Sequence, residues 1–263
     1  MGIMLPSLRV SEGMGSDAPM IEAVFFDLGD TIIHFETSNA SAILDMMCRA
    51  GYHRLLELGH RPPAYPAYLR AIKRRFFCEW FRSKLVRREI RLVRCVERLH
   101  VAMGFALESD ELAEIVRGLI IPAMEELATV DDEAKDMLAQ LARPELKLGL
   151  VSNTPFPGFA IDAYLDGKGL LDHFPIRVYS SEVGFLKPQP QIFQHALDQV
   201  GVPAQRVLFV GDRIDNDIRG AARVGMKTML FTHGEQISHP RVRPDHMIQR
   251  LSELPAILKE LTA

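Results

Sequence analysis

Short apolar runs alternating with helical pattern constrain this chain more than any other feature of its sequence. The runs are Ala23-Val24-Phe25-Phe26, Leu146 to Val151, Val178-Tyr179, Val207 to Val210 and Thr228 to Phe231. Runs this brief and this continuously apolar read as parallel strands buried on both faces. Between the later ones, Asp131 to Leu141 places Ala134, Met137, Leu138 and Leu141 on one helical face, with Asp131 or Asp132 as its N-cap. Pro190 to Val200 repeats the pattern, and Asp217 to Val224 is a third helix closed by Gly225. Strand alternating with helix predicts an α/β fold: a Rossmann-like, three-layer core around a parallel sheet.

One segment breaks the alternation. From Thr37 to Thr129 the pattern is helical and amphipathic, interrupted by His60-Arg61-Pro62-Pro63 and Gly104, with no convincing strand. An insertion of that length reads as an inserted all-helical cap subdomain rather than a loop. The expected organisation is a flexible N-terminal tail over 1–19, a catalytic core of 20–36 and 130–263, and a helical cap over 37–129.

Bulk properties narrow the surroundings. Hydrophobic residues make up 48% of the chain, enough for a sizeable core, yet no window approaches the ~18 consecutive apolar residues of a membrane helix. The leader has no apolar stretch behind a basic start, so neither a signal peptide nor an anchor is expected there. Cys48, Cys78 and Cys95 are odd in number and widely spaced, which suits thiols in a reducing, cytoplasmic setting. A formal net charge of -3 gives no general attraction to nucleic acid or to an anionic membrane.

The residues just past each strand carry the chemistry. Asp27 comes after Phe26, Ser152 and Asn153 come after Val151, Lys187 is reached from the Val178-Tyr179 run through SSEVGFLKP, and Val210 leads into GDRIDND with Asp212 and Asp217. Such positions at the carboxyl ends of parallel strands meet in one crevice. Three carboxylates without a histidine cluster suit a hard, oxygen-liking cation such as Mg²⁺ rather than zinc. A lysine and a hydroxyl beside them suit a phosphoryl group, and a carboxylate at a strand end can attack phosphorus.

The four segments FFDLGDTI, GLVSNT, GFLKPQPQIF and VGDRIDNDIRGA, in that order and each after an apolar strand, resemble the motifs of the haloacid dehalogenase superfamily of aspartate-nucleophile phosphatases. The resemblance implies that Asp27 is nucleophile and metal ligand, that the Gly29 carbonyl and Asp212 complete the Mg²⁺ set, and that Asp217 orients the ion or its waters. It implies further that Ser152, with Asn153, contacts the phosphoryl oxygens and that Lys187 neutralises charge. Thr31 stands where the family has its first-motif threonine. A small phosphorylated metabolite is the implied substrate, with no nucleic-acid or membrane partner.

One position departs from the pattern. The common first motif is D-x-D-G-T, whose second Asp is general acid and then base; here Asp27-Leu28-Gly29-Asp30-Thr31 puts glycine there. Asp30, His34 or water could take the role, and His34, where the chain leaves for the cap, is also expected as a substrate-binding residue. A dehalogenase that works without Mg²⁺, and a degenerate site kept for binding, are the other readings. Asp212 and Asp217 speak against the dehalogenase, since without a cation they would repel the nucleophile.

The cap is the expected selector of substrate. Between Arg70 and Arg98 eleven basic residues face three acids. Arg87, Arg91, Arg94 and Arg98 recur at helical spacing as one face, opposite Phe77, Trp80, Phe81, Leu85, Leu92 and Val96 as cap core. The basic face reads as solvated surface, or as an entrance that draws in an anion.

Overall fold

The computed structural model describes residues 20–36, 40–86, 91–104, 106–235 and 242–261. The leader over 1–19 lies outside them. The chain opens with β1 (Ala23–Phe26) and β2 (Ile33–Phe35), then four helices, α1 (Ala40–Glu57), α2 (Tyr65–Val86), α3 (Leu92–Ala102) and α4 (Ser109–Leu127), and β3 (Ala128–Val130). It continues through α5 (Ala134–Leu141), β4 (Lys147–Ser152), α6 (Gly158–Gly167), β5 (Ile176–Tyr179), α7 (Ser180–Val183) and α8 (Pro190–Val200). The last elements are β6 (Val207–Gly211), α9 (Arg219–Arg223), β7 (Lys227–Phe231), β8 (His246–Ile248) and α10 (Leu254–Leu261).

Six strands form one parallel sheet in the order β5-β4-β1-β6-β7-β8. Strand alternation sorts the core into two layers. Val24 and Phe26 pack on one face with Leu150, Val210 and Met229 under α5, α6 and α10, while Ala23 and Phe25 pack on the other with Val151, Phe209 and Phe193 under α8 and α9. Each such fully buried side chain contributes about 1.5–3 kcal/mol before the entropy of ordering is set against it. This is the three-layer α/β fold expected.

The differences from expectation are local. A second, two-stranded antiparallel ribbon pairs Ile33 with Val130, His34 with Thr129 and Phe35 with Ala128, so the helical stretch enters and leaves through strands rather than loops. The helix expected from Asp217 begins instead as a π turn over Ile214–Ile218, with α9 after it. Asp131 does not cap α5; its Oδ1 accepts from the Glu133 amide at 2.9 Å and closes the turn before that helix. Among α1–α4, the expected apolar stripe divides. Val96 is buried, but Phe77 and Phe81 are 64% and 55% exposed, so these two rings are not core. Trp80, Lys84 and Leu85 have undescribed side chains, and Arg87 and Arg88 lie outside the described residues. Arg91 caps the start of α3 in extended conformation, so it does not share one continuous helix with the stretch before it. The α1–α4 helices instead bury Cys48, Tyr68, Ile115 and Leu119. They surround an apolar cavity of about 190 Å³ that Pro155 and Phe156 close from the sheet side. Burial pushes the Cys48 and Cys95 thiols beside it up to about 11, so both stay neutral.

Candidate active site

Phe26 lies opposite Leu150 on one neighbour and Val210 on the other, so Asp27 emerges from the carboxyl end of a strand flanked on both sides. Its amide still donates to the Val210 carbonyl at 2.9 Å, which ties it to the sheet. Ser152, buried, ends β4, and Asp212 comes directly after Gly211 at the end of β6. Asp27, Asp212 and Asp217 each bring a carboxylate oxygen within 4.8 Å of the others.

Lys187 stands among them. Its Nζ lies 2.7 Å from Asp27 Oδ1 and 2.8 Å from Asp217 Oδ1, and all three side chains are buried. Its backbone is held by Asn153, whose Oδ1 accepts from the Lys187 amide at 2.7 Å and whose Nδ2 donates to the Lys187 carbonyl at 3.1 Å. Asn153, expected at the substrate, thus acts as a clamp on the lysine. The Leu28 amide donates to Asp27 Oδ1 at 2.6 Å, and the Arg213 amide to Asp217 Oδ2 at 3.0 Å. These two amides escaped sequence reading because a backbone donor has no side-chain signature.

The charges are unbalanced. Burial pushes the Asp27 carboxyl up to about 6 against the pull of Lys187. Burial, then repulsion from Asp217 and Asp27, pushes Asp212 up to about 7. Burial works to lower the Lys187 ammonium, but Asp217 and Asp27 outweigh it and hold it above its ordinary value. One lysine does not offset three acids, and Asp212 Oδ1 is buried without a hydrogen-bond partner among the described residues. A buried acceptor left unpaired costs of order 1–3 kcal/mol. An all-oxygen donor set with spare negative charge and an unpaired oxygen fits a hard divalent cation such as Mg²⁺.

The other residues singled out in the sequence lie around this cluster. Thr31 is buried, with Oγ1 lacking a partner among the described residues. Asp30 is exposed, takes φ 56°, and bears electrostatically on Asp212. His34 sits on β2, where Nε2 meets Asp131 Oδ2 at 2.8 Å and the ring packs edge-on against His233 at 5.5 Å between centroids. The side chain facing the Gly29 α-carbon is Phe35: a Cβ built on Gly29 would sit 3.5 Å from its Cε2.

Gly211 is required for space. A Cβ there would lie 2.6 Å from Asp217 Oδ2 and 2.7 Å from Asp217 Cβ and Cγ. Gly211→Ala is therefore expected to push Asp217 off Lys187, destabilising the fold by about 1–3 kcal/mol. Thermal melting checks this; an unchanged Tm would mean that the turn after β6 yields freely.

Acids gathered at the carboxyl ends of neighbouring parallel strands, with a buried lysine between them, define the catalytic crevice of an α/β enzyme. The haloacid dehalogenase-like hydrolase profile matches residues 21–225. The chain belongs to that family. It is 38% identical over 130 residues to the glyceraldehyde 3-phosphate phosphatase of Methanopyrus kandleri, a match covering 47% of this chain and 54% of that protein. It is 26% identical over 254 residues to the N-acylneuraminate-9-phosphatase of Rattus norvegicus, covering 92% of this chain and 95% of that one. The chain spans about half the length of several curated relatives that it matches. A 2-haloacid dehalogenase from Pseudomonas syringae pv. Tomato DC3000 shares the fold, with a TM-score of 0.63 at 24% identity over 92% of this chain and 99% of that one. Among the described residues, no helix is long and apolar enough to cross a membrane.

Proposed function

We propose that this chain is a Mg²⁺-dependent phosphatase that cleaves a small phosphorylated metabolite through an aspartyl-phosphate on Asp27. The observation that carries it is Asp27 at the end of β1 with Lys187 at 2.7 Å and Asp212 and Asp217 beside it. Phosphatases among the relatives support the same reading.

In this mechanism Asp27 attacks phosphorus in line with the leaving oxygen, and Lys187 holds the charge that gathers on the phosphoryl group. Ser152 donates to a phosphoryl oxygen. Asn153 keeps Lys187 in place, and Asp217 keeps its ammonium protonated and aimed. Asp27, Asp212 and the Gly29 carbonyl would hold Mg²⁺, with Asp217 behind them. When bound, the ion supplies positive charge to the phosphoryl oxygens and relieves the crowding of carboxylates. Water then hydrolyses the aspartyl-phosphate and restores Asp27.

Helices α1–α4, entered and left through the β2–β3 ribbon, act as the cap that selects the leaving group and limits water access. Arg91 supports a role for basic residues at its edge: its guanidinium would lie 3.3 Å from a Cβ built on Gly184, in the turn that leads to Lys187. Cysteines Cys48, Cys78 and Cys95, all free, suit a cytoplasmic location.

The test is hydrolysis of p-nitrophenyl phosphate with Mg²⁺ and with EDTA. Turnover is expected with the ion and none with the chelator; equal rates in both would reject the metal. Because protons compete for Asp27 and Asp212, whose carboxyls lie near 6 and 7, the affinity for Mg²⁺ should rise between about pH 5.5 and 8. Calorimetric titration measures it, and an affinity flat across that range would remove these two acids from the ion's ligand set.

A further inference from the structure

Resting on that reading, we infer that no side chain among the described residues protonates the leaving group, and that the site is built for phosphates whose leaving oxygen needs no proton: phenolic, enolic or acyl phosphates. The position two residues after Asp27 is Gly29, and the group facing it is the Phe35 ring, with Cε2 and Cδ2 at 3.5 and 3.7 Å from where a Cβ would stand. Phe35 is fixed there by its ribbon pairing with Ala128. A ring edge has no proton to give.

The two polar residues that follow, Asp30 and His34, have fixed local settings. Asp30 is carried outward by a left-handed turn, φ 56°, that its own amide locks by donating to the Ile33 carbonyl at 2.7 Å. It is exposed, and its charge bears on Asp212. His34 has Nε2 on Asp131 at 2.8 Å and its ring against His233, which holds the imidazole at the β2 ribbon and leaves Nδ1 as the one ring nitrogen that His34→Asn must test.

The consequence for the chemistry is direct. Asp27 forms its bond to phosphorus as the bond from phosphorus to the leaving oxygen breaks. The electron pair stays on that oxygen, which departs as an anion and takes its proton from solvent. For a phenol, with a pKa near 10, or a carboxylic acid, near 4, that anion is accessible; for an alcohol it is not without help. In the second step water attacks the same phosphorus, the pair returns to the Asp27 carboxylate, and the water proton goes to solvent. No base assists this step either, so phosphorylated Asp27 accumulates during turnover.

The experiment compares kcat/KM, which reports transfer to Asp27, on p-nitrophenyl phosphate, phenyl phosphate and glycerol phosphate for the wild type, Gly29→Asp, Asp30→Asn and His34→Asn. The Gly29 backbone does not need glycine, since φ is not positive and a Cβ meets Phe35 only at ordinary contact distance. Gly29→Asp is expected to raise the rate on glycerol phosphate by about 10²–10⁴-fold and to change nitrophenyl phosphate little. Asp30→Asn and His34→Asn should keep the wild-type slope. Mass spectrometry of acid-quenched wild type gives an independent readout, expected to show phosphorylated protein during turnover of nitrophenyl phosphate. A wild type that cleaves glycerol and nitrophenyl phosphates alike, a steeper slope in Asp30→Asn or His34→Asn, or a wild type free of phosphorylated protein would each overturn the inference while leaving the phosphatase reading intact. A wild type inert on all three substrates would reject both.

Discussion

Asp27→Asn is expected to lower kcat/KM on p-nitrophenyl phosphate by on the order of 10⁴–10⁶-fold, the scale of losing a covalent nucleophile. The amide keeps the size of the carboxyl but loses the charge and lone pair that attack phosphorus. Folding should survive the change. Lys187 keeps Asp217 at 2.8 Å as its partner, and burial already disfavours the charged form of Asp27. The variant should therefore melt close to the wild type in EDTA while binding Mg²⁺ more weakly, having lost one ligand. Melting and turnover measured on one preparation separate these effects. Activity within about tenfold of wild type would move the nucleophile elsewhere.

Lys187→Met should have the largest effect on stability. Methionine nearly matches the length of lysine, so the loss is of charge rather than volume. Two buried carboxylates, Asp27 and Asp217, would then face each other without their shared cation. Breaking a buried pair in this way costs about 3–5 kcal/mol. For a chain of this size that corresponds to a fall in Tm of roughly 6–20 °C. The pH dependence has a definite sign. Asp27 and Asp212 already have folded-state values raised to about 6 and 7, so the folded form holds protons that the unfolded chain releases near 4. Their contribution to stability is complete below about pH 4 and disappears as pH rises through 6 to 7. Without Lys187 these values climb further, so the deficit should be greatest at about pH 8 and shrink towards about pH 5. Saturating Mg²⁺ at the higher pH should recover part of it, since the ion replaces the missing positive charge. A Tm there in EDTA equal to that of the wild type would show that the lysine does not hold the cluster together.

The acids and the lysine were legible in the sequence because each follows an apolar strand, directly or through one short connection, and a parallel sheet aligns such ends by topology. Asp27, Lys187, Asp212 and Asp217 could be grouped without any coordinates. The three-residue strands β2, β3 and β8 could not, because a run that short completes barely one alternation. Their pairing is decided by what lies across from them. The exposed rings of Phe77 and Phe81 show the same limit: apolar spacing marks a face but does not supply a neighbour to cover it. The π turn at Ile214–Ile218 escaped because the hydrogen bond from the Arg213 amide to Asp217 depends on the missing side chain of Gly211. The role of Phe35 was hidden for a related reason. A strand pairing between residues far apart in the chain sets its ring beside Gly29, and nothing local to either residue records that.

A carboxylate in water has two interchangeable oxygens, and the fold removes that symmetry at Asp27. Oδ1 takes both the Leu28 amide at 2.6 Å and the Lys187 ammonium at 2.7 Å, so its lone pairs are occupied before any ligand arrives. Rotation of the carboxyl about its bond to Cβ would have to break both donors at once, which keeps the two oxygens from trading places. The two oxygens thus differ in the resting protein: one is anchored by two donors, and under the proposed mechanism the other is the end that reacts.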